Sequence, residues 1–140
     1  MPLIAGSAEF DYANYWGATV ALYLTALTGA AWDRAGGSSL GLSFRIDGPA
    51  LTTFRFQVTT PDLDPTIEGS YCQEWSPSSG DTIEILFSEL KTQCWPNGAG
   101  TYLPATDALS SLEWTIFAVA NDPKVFDFCI SDIRPLVAAR

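Results

Sequence analysis

The sequence predicts an all-β protein, a sandwich or barrel of about six or seven strands. Three observations carry that reading. Apolar and polar side chains alternate with period two in stretch after stretch, clusters of Pro, Gly, Asp and Asn separate those stretches, and no segment sustains a long helical period.

In chain order, "WGATVALYLTAL" sets Ala18, Val20, Leu22 and Leu24 on one face and Thr19, Tyr23 and Thr25 on the other. Its β-branched and aromatic content favours a strand, with a helix left open. "SLGLSFRIDG" turns Leu40, Leu42, Phe44 and Ile46 inward and Ser43 and Arg45 outward. "LTTFRFQVTT" alternates Phe54, Phe56 and Val58 with Arg55, Gln57 and Thr59, and "TPDLDPTIEGS" is a long loop. "DTIEILFSEL" buries Ile83, Ile85 and Phe87, and a Gly- and Pro-rich loop, "QCWPNGAGTYLPATD", follows. "SSLEWTIFAV" buries Leu112, Trp114 and Ile116 while Glu113, Thr115 and Phe117 face away. After an "NDP" turn, "VFDFCISDI" closes the series with Phe126, Phe128 and Ile130 inward.

The chain of 140 residues suits one domain over 1–140, and its 47% hydrophobic and 16% charged content suits an ordered core. Its net charge of −9 and the lack of any Lys/Arg run argue against nucleic acid and anionic membrane as partners. The longest apolar stretch, "GATVALYLTALTGAAW", falls short of a spanning helix, so a soluble protein is expected. No signal peptide is legible; the signal of an exported protein would lie outside this sequence.

Three cysteines, Cys72, Cys94 and Cys129, imply one disulfide and one thiol. Sequence does not fix the pairing. "SYCQEW" and "TQCWPNG" both read as loops at strand ends, which favours Cys72 with Cys94 and an oxidising compartment.

With no histidine, Ser-His-Asp and Cys-His nucleophiles and the usual catalytic zinc sites are excluded, and phosphate-binding glycine loops are missing. Glu84, Glu89, Glu113 and Asp127 could furnish a glycosidase pair, but a strand carboxylate is more often simply solvated. Asp132, with Asp11 or the Asp62/Asp64 pair, could supply oxygen ligands to a structural calcium.

Trp114 belongs to the core, whereas Trp16, Trp32, Trp75 and Trp95 fall in loops or at strand ends near Tyr12, Tyr15 and Tyr102. Such rings either lid the ends of a sandwich or offer platforms for the C–H face of a pyranose. Arg55 and Gln57 likewise either cover a solvated face or form, with Arg45, Glu113 and Thr115, a hydrogen-bonding set beside a stacking Tyr23 or tryptophan. The binding reading is favoured.

These residues resemble a family: the galactose-binding-like β-jelly-roll carbohydrate-binding modules attached to secreted bacterial polysaccharide-degrading enzymes. The resemblance spans roughly residues 15–135 and rests on "YWGATVALYL", "LGLSFRIDG" followed by "LTTFRFQVTTPD", "IEILFSEL" and the ending "FDFCISDIRPL". It implies a jelly roll of two antiparallel sheets, with Arg55, Gln57, Glu113 and Thr115 on a concave face. It also implies a calcium site near Asp132.

The expected function is therefore non-catalytic polysaccharide binding, on plant cell-wall glucan, xylan or a similar chain, by an extracellular module with no required cofactor. The expected ligand set is Arg55, Gln57, Arg45, Tyr23, Glu113, Thr115, Trp16, Trp75, Trp95 and Tyr102. The rivals are a structural or partner-binding sandwich and a glycosidase or lyase on the same scaffold. Family members usually open with an acidic strand that pairs with the last strand, and only "PLIAGSAEFDYAN" stands before "YWGATV". Two alternatives follow: an open edge beside "FDFCISDI" that invites pairing in a homodimer, or a first strand that lies upstream of this sequence.

Overall fold

The computed structural model describes residues 3–8, 17–24, 31–33, 39–61, 70–95, 98–117 and 124–137. Eight strands account for most of them: β1 (Leu3–Ala8), β2 (Gly17–Tyr23), β3 (Ser39–Ala50), β4 (Phe54–Thr59), β5 (Tyr71–Trp75), β6 (Asp81–Leu86), β7 (Ser111–Phe117) and β8 (Lys124–Val137). They form two antiparallel four-stranded sheets in the orders β1-β8-β3-β6 and β2-β7-β4-β5, a β-sandwich of the jelly-roll type.

The alternation read from the sequence is what joins the sheets. From the first sheet, Leu42, Phe44, Ile46, Ile83, Ile85, Phe126, Phe128 and Ile130 point inward. From the second, Phe54, Phe56, Val58, Leu112, Trp114 and Ile116 meet them in one buried cluster. Phe44 sits at its centre, 6.1 Å from Phe54, 6.2 Å from Phe56 and 5.5 Å from Trp114 between ring centroids. Each such ring contributes about 1.5–3 kcal/mol through burial, with roughly 0.5–1.5 kcal/mol more per aromatic pair.

Several expectations are corrected. "LIAGSA" forms β1, which pairs with β8 from Leu3↔Cys129 to Ala8↔Lys124, so the edge expected to lie open is occupied there by the chain itself. "YCQEW" is not a loop: it forms edge strand β5 beside β4. Gly17–Tyr23 is the strand that the β-branched and aromatic content favours, while Leu24 beyond it is helical and residues 25–30 lie outside the described ones. The predicted strand through Leu90 stops at Leu86, where a 3-10 turn (Phe87–Glu89) carries the buried Phe87 against Trp32.

Leu40 was expected inside and is 52% exposed. The β3–β8 register slips between Ser39 and Gly41, so Leu40 is the extra residue of a bulge and its side chain leaves the inward series. The last of the three slips, between Asp47 and Ala50, brings Gly48 against β8 so closely that a Cβ there would lie 2.2 Å from the carbonyl oxygen of Asp127. Backbone cannot yield cheaply at that distance. Gly48→Ala is expected to destabilise the fold by about 1–3 kcal/mol, read as a lowered urea midpoint; an unchanged midpoint would show that this stretch of β3 has slack.

Candidate functional site

Because Phe54, Phe56 and Val58 are inward, Arg55, Gln57 and Thr59 face out from the centre of the second sheet. Register then assembles their neighbours. One row runs Ala21, Glu113, Gln57, Cys72 across β2, β7, β4 and β5, and isolated bridges extend it through Lys91 to Tyr102. The adjacent row is Thr19, Thr115, Arg55 and Glu74. Tyr23 flanks them opposite Ser111.

Side-chain hydrogen bonds run within these rows and from Glu113 to the row of Ser111 and Thr59. The Gln57 amide donates to Glu113 Oε2 across β4–β7, and the Ser111 hydroxyl donates to Glu113 Oε1. Thr59 and Ser111 share a hydroxyl contact of 2.6 Å, and Thr19 and Thr115 one of 2.9 Å. Arg55 is largely enclosed, its side chain only 16% exposed. It donates from Nη2 to Glu74 Oε1 at 2.8 Å, lies 3.8 Å over the centroid of the Phe117 ring and 5.3 Å from that of Trp95, while its Nε is buried without an acceptor. An ion pair and two aromatic faces hold the guanidinium in one orientation.

Aromatic rings border this polar floor. Tyr23 is 60%, Trp95 44% and Tyr102 61% exposed. Trp95 and Tyr102 reach the sheet because the Cys72–Cys94 disulfide ties their segment to β5, and because backbone bonds such as Thr92 N–H to Thr101 O fold it into a hairpin. Gly100 permits that fold, since a Cβ there would fall 1.5 Å from the Thr92 carbonyl oxygen. The disulfide joins the pair favoured from sequence and leaves Cys129 outside it.

Arg55, Gln57, Glu113, Thr115, Tyr23, Trp95 and Tyr102 thus share one face or its rim. Two expected members do not join them, and a third lies outside the described residues. Arg45 is on β3, on the outer side of the opposite sheet, bonded to Asp47 through Nε at 2.8 Å and Nη2 at 3.0 Å. Trp75 pairs with Phe54 and packs against the core, its indole facing inward. Trp16 lies outside the described residues, as do Tyr12 and Tyr15. Glu74 and Phe117, the groups that fix Arg55, went unassigned in the sequence reading. Glu74 was hidden in a segment taken for a loop, although Cys72 and Glu74 alternate there with Tyr71, Gln73 and Trp75.

The calcium expectation fares differently. Asp132 is exposed, 3.7 Å from Arg134 and in a hollow with Arg45, two guanidinium groups that disfavour a divalent cation. Among the described residues no three His, Cys, Asp or Glu side chains cluster as a metal site; Asp11, Asp62 and Asp64 lie outside them.

No family model and no curated protein matches the chain. Two solved structures share its fold. The family 11 carbohydrate-binding module of the cellulosomal cellulase Lic26A-Cel5E of Clostridium thermocellum aligns with a TM-score of 0.54 at 21% identity, over 99% of this chain and 89% of that one. A family 11 module from Clostridium thermocellum in complex with a β-1,3-1,4-mixed-linked tetrasaccharide aligns at 0.52 and 19% identity, over 96% and 98%. At these identities the likeness is one of fold.

Two outcomes follow from the geometry. Replacing both Cys72 and Cys94 by Ser, which opens a link spanning 22 positions, should cost about 3 kcal/mol of stability in urea unfolding; equal midpoints would mean the hairpin holds itself. The Arg45 hydrogen bond and charge keep the Asp47 carboxyl below its ordinary range despite the opposing effect of desolvation. That contribution to stability is therefore present above the usual carboxylate pKa and is lost as pH falls through the lowered one. In an NMR titration Arg45→Ala should move the Asp47 midpoint upward, and no movement would remove Arg45 as the cause.

Proposed function

We propose that this protein is a non-catalytic carbohydrate-binding module that adsorbs to a polysaccharide, a plant cell-wall β-glucan, xylan or similar chain, through the outer face of the β2-β7-β4-β5 sheet. One observation carries the reading: the amide–carboxylate pair of Gln57 and Glu113 lies mid-sheet between the exposed rings of Tyr23, Trp95 and Tyr102. Pyranose rings present C–H faces to aromatic surfaces and hydroxyls at their edges to amides and carboxylates, so alternating rings and polar groups match a sugar chain. A jelly-roll relative in fold that binds a mixed-linked tetrasaccharide supports the same reading.

Arg55 acts here chiefly as a positioning residue. With Nη2 on Glu74 and its guanidinium over Phe117, it keeps the floor between Trp95 and Gln57 rigid, which lowers the ordering cost of binding. A tethered enzyme would gain local substrate concentration from such adsorption. The disulfide suits an extracellular setting. Of the acids considered for glycosidase chemistry, Glu84 and Asp127 belong to the first sheet and Glu113 to the second, an arrangement that supports binding over hydrolysis. A partner-binding sandwich remains the second reading, favoured by Trp32 and Trp75 packing on the core.

Affinity gel electrophoresis against mixed-linkage β-glucan, xylan and other soluble polysaccharides separates the two. Retardation by at least one is expected, weakened about tenfold by Gln57→Ala or Trp95→Ala. Arg55→Ala should weaken binding while the protein still unfolds cooperatively, with a loss of about 1–2 kcal/mol from the ion pair and ring contacts. A folded protein retarded by none of the panel would overturn the proposal.

A further inference from the structure

The outer face of the β1-β8-β3-β6 sheet, turned away from Arg55 and Gln57, holds a hollow of about 270 Å³ lined by Ser43, Arg45, Thr82, Asp132 and Arg134. We propose that it is a second ligand site, independent of the first, that takes a single carboxylate-bearing sugar unit, a uronic acid residue. Its volume lies just below the ~300–1,000 Å³ usual for drug-sized ligands, which fits one ring rather than an oligosaccharide.

The lining is placed by strand register rather than by mobile loops. Arg45 stands opposite Thr82 on β6 and Ser131 on β8, and Ser43 opposite Arg134. Between those last two pairings, Asp132 and Ile133 both face Phe44. Asp132 takes φ of 51°, so a β-bulge re-aims its carboxylate toward this face. An aspartate in that conformation costs stability unless something fixes it, and such outliers concentrate where ligands are held.

The charges select the ligand. In a chain of net charge −9 an anion is repelled over most of the surface. Here two of the seven basic residues come together, their charge offset by Asp47 and Asp132 and with Glu84 opposite Ser43 on β6, so the hollow offers guanidinium donors beside carboxylate acceptors rather than a net positive field. Arg45 is committed along its Nε–Nη2 edge to Asp47, which fixes its plane. Arg134 is 74% exposed and its contact with Asp132 is 3.7 Å, too long for a hydrogen bond, so its donors remain available to a carboxylate. Asp132, Ser43 and Thr82 supply acceptors and hydroxyls beside it. A simple anion would use only the arginines, a neutral sugar only the acceptors, and a uronic acid both.

Amide chemical-shift mapping of the full chain with methyl glucuronoside, methyl glucoside and sodium acetate at equal concentration tests the assignment. The glucuronoside should move the amides of Ser43, Arg45, Thr82, Asp132 and Arg134, with little response to glucoside or acetate. Arg134→Ala should weaken that response about tenfold, and Arg55→Ala should leave it intact. The proposal is overturned if those amides do not move, if acetate moves them equally, or if Arg134→Ala changes nothing. Failure of the polysaccharide reading would appear instead on β4 and β7, so the two are told apart.

Discussion

The contact on which the rest depends is the aromatic cluster of Phe44, Phe54, Phe56 and Trp114 across the two sheets. A strand has a side-chain period of two, so fixing which residues of β4 and β7 are inward also fixes which are outward. A slip of one residue would bury Arg55 and Gln57 and expose two phenylalanines, at a cost of several kcal/mol from lost apolar burial alone. The polar face is therefore as rigidly specified as the core beneath it. Its geometry is a consequence of packing on the other side of the sheet.

What the core does not specify is the rim. Tyr102 and Trp95 reach the outer face through a hairpin whose position depends on the Cys72–Cys94 bond and on close backbone approach at Gly100. Cys72 sits in the same cross-strand row as Gln57 and Glu113, so the covalent tie is made within the site rather than at a distance from it. The aromatic edge thereby acquires a fixed relation to the polar centre.

The same period-two logic explains what was legible in the sequence. Strands whose inward residues are large and apolar, as in "FRFQVT" or "LEWTIF", declare themselves because burial of one face dominates their free energy. "LIAGSA" carries no such signal; its small residues become a strand by pairing with β8, a contact at sequence distance that local pattern does not encode. Bulges are equally silent, hence the misplaced Leu40. For Arg45 the reading of its face was correct and the reading of its company was not. Alternation says that Arg45 and Arg55 both point away from the core, but only topology says that β3 and β4 belong to opposite sheets, so that the two guanidinium groups point in opposite directions.

An arginine in mid-strand between two phenylalanines then has a physical account. Enclosing a guanidinium to 16% exposure carries a desolvation cost, which Glu74 and the Phe117 and Trp95 rings offset. A lysine would meet the charge of Glu74 but not stack as a plane on the rings, so the position asks for arginine in particular. With its Nη2 edge on Glu74 and its flat face over Phe117, Arg55 has few rotamers left to lose when a ligand arrives. Its neighbours Gln57 and Glu113 are likewise bonded to each other before any ligand is present. A face that has already given up its side-chain entropy on folding binds with a smaller penalty than a solvated one, and that distinguishes this strand from an ordinary amphipathic strand.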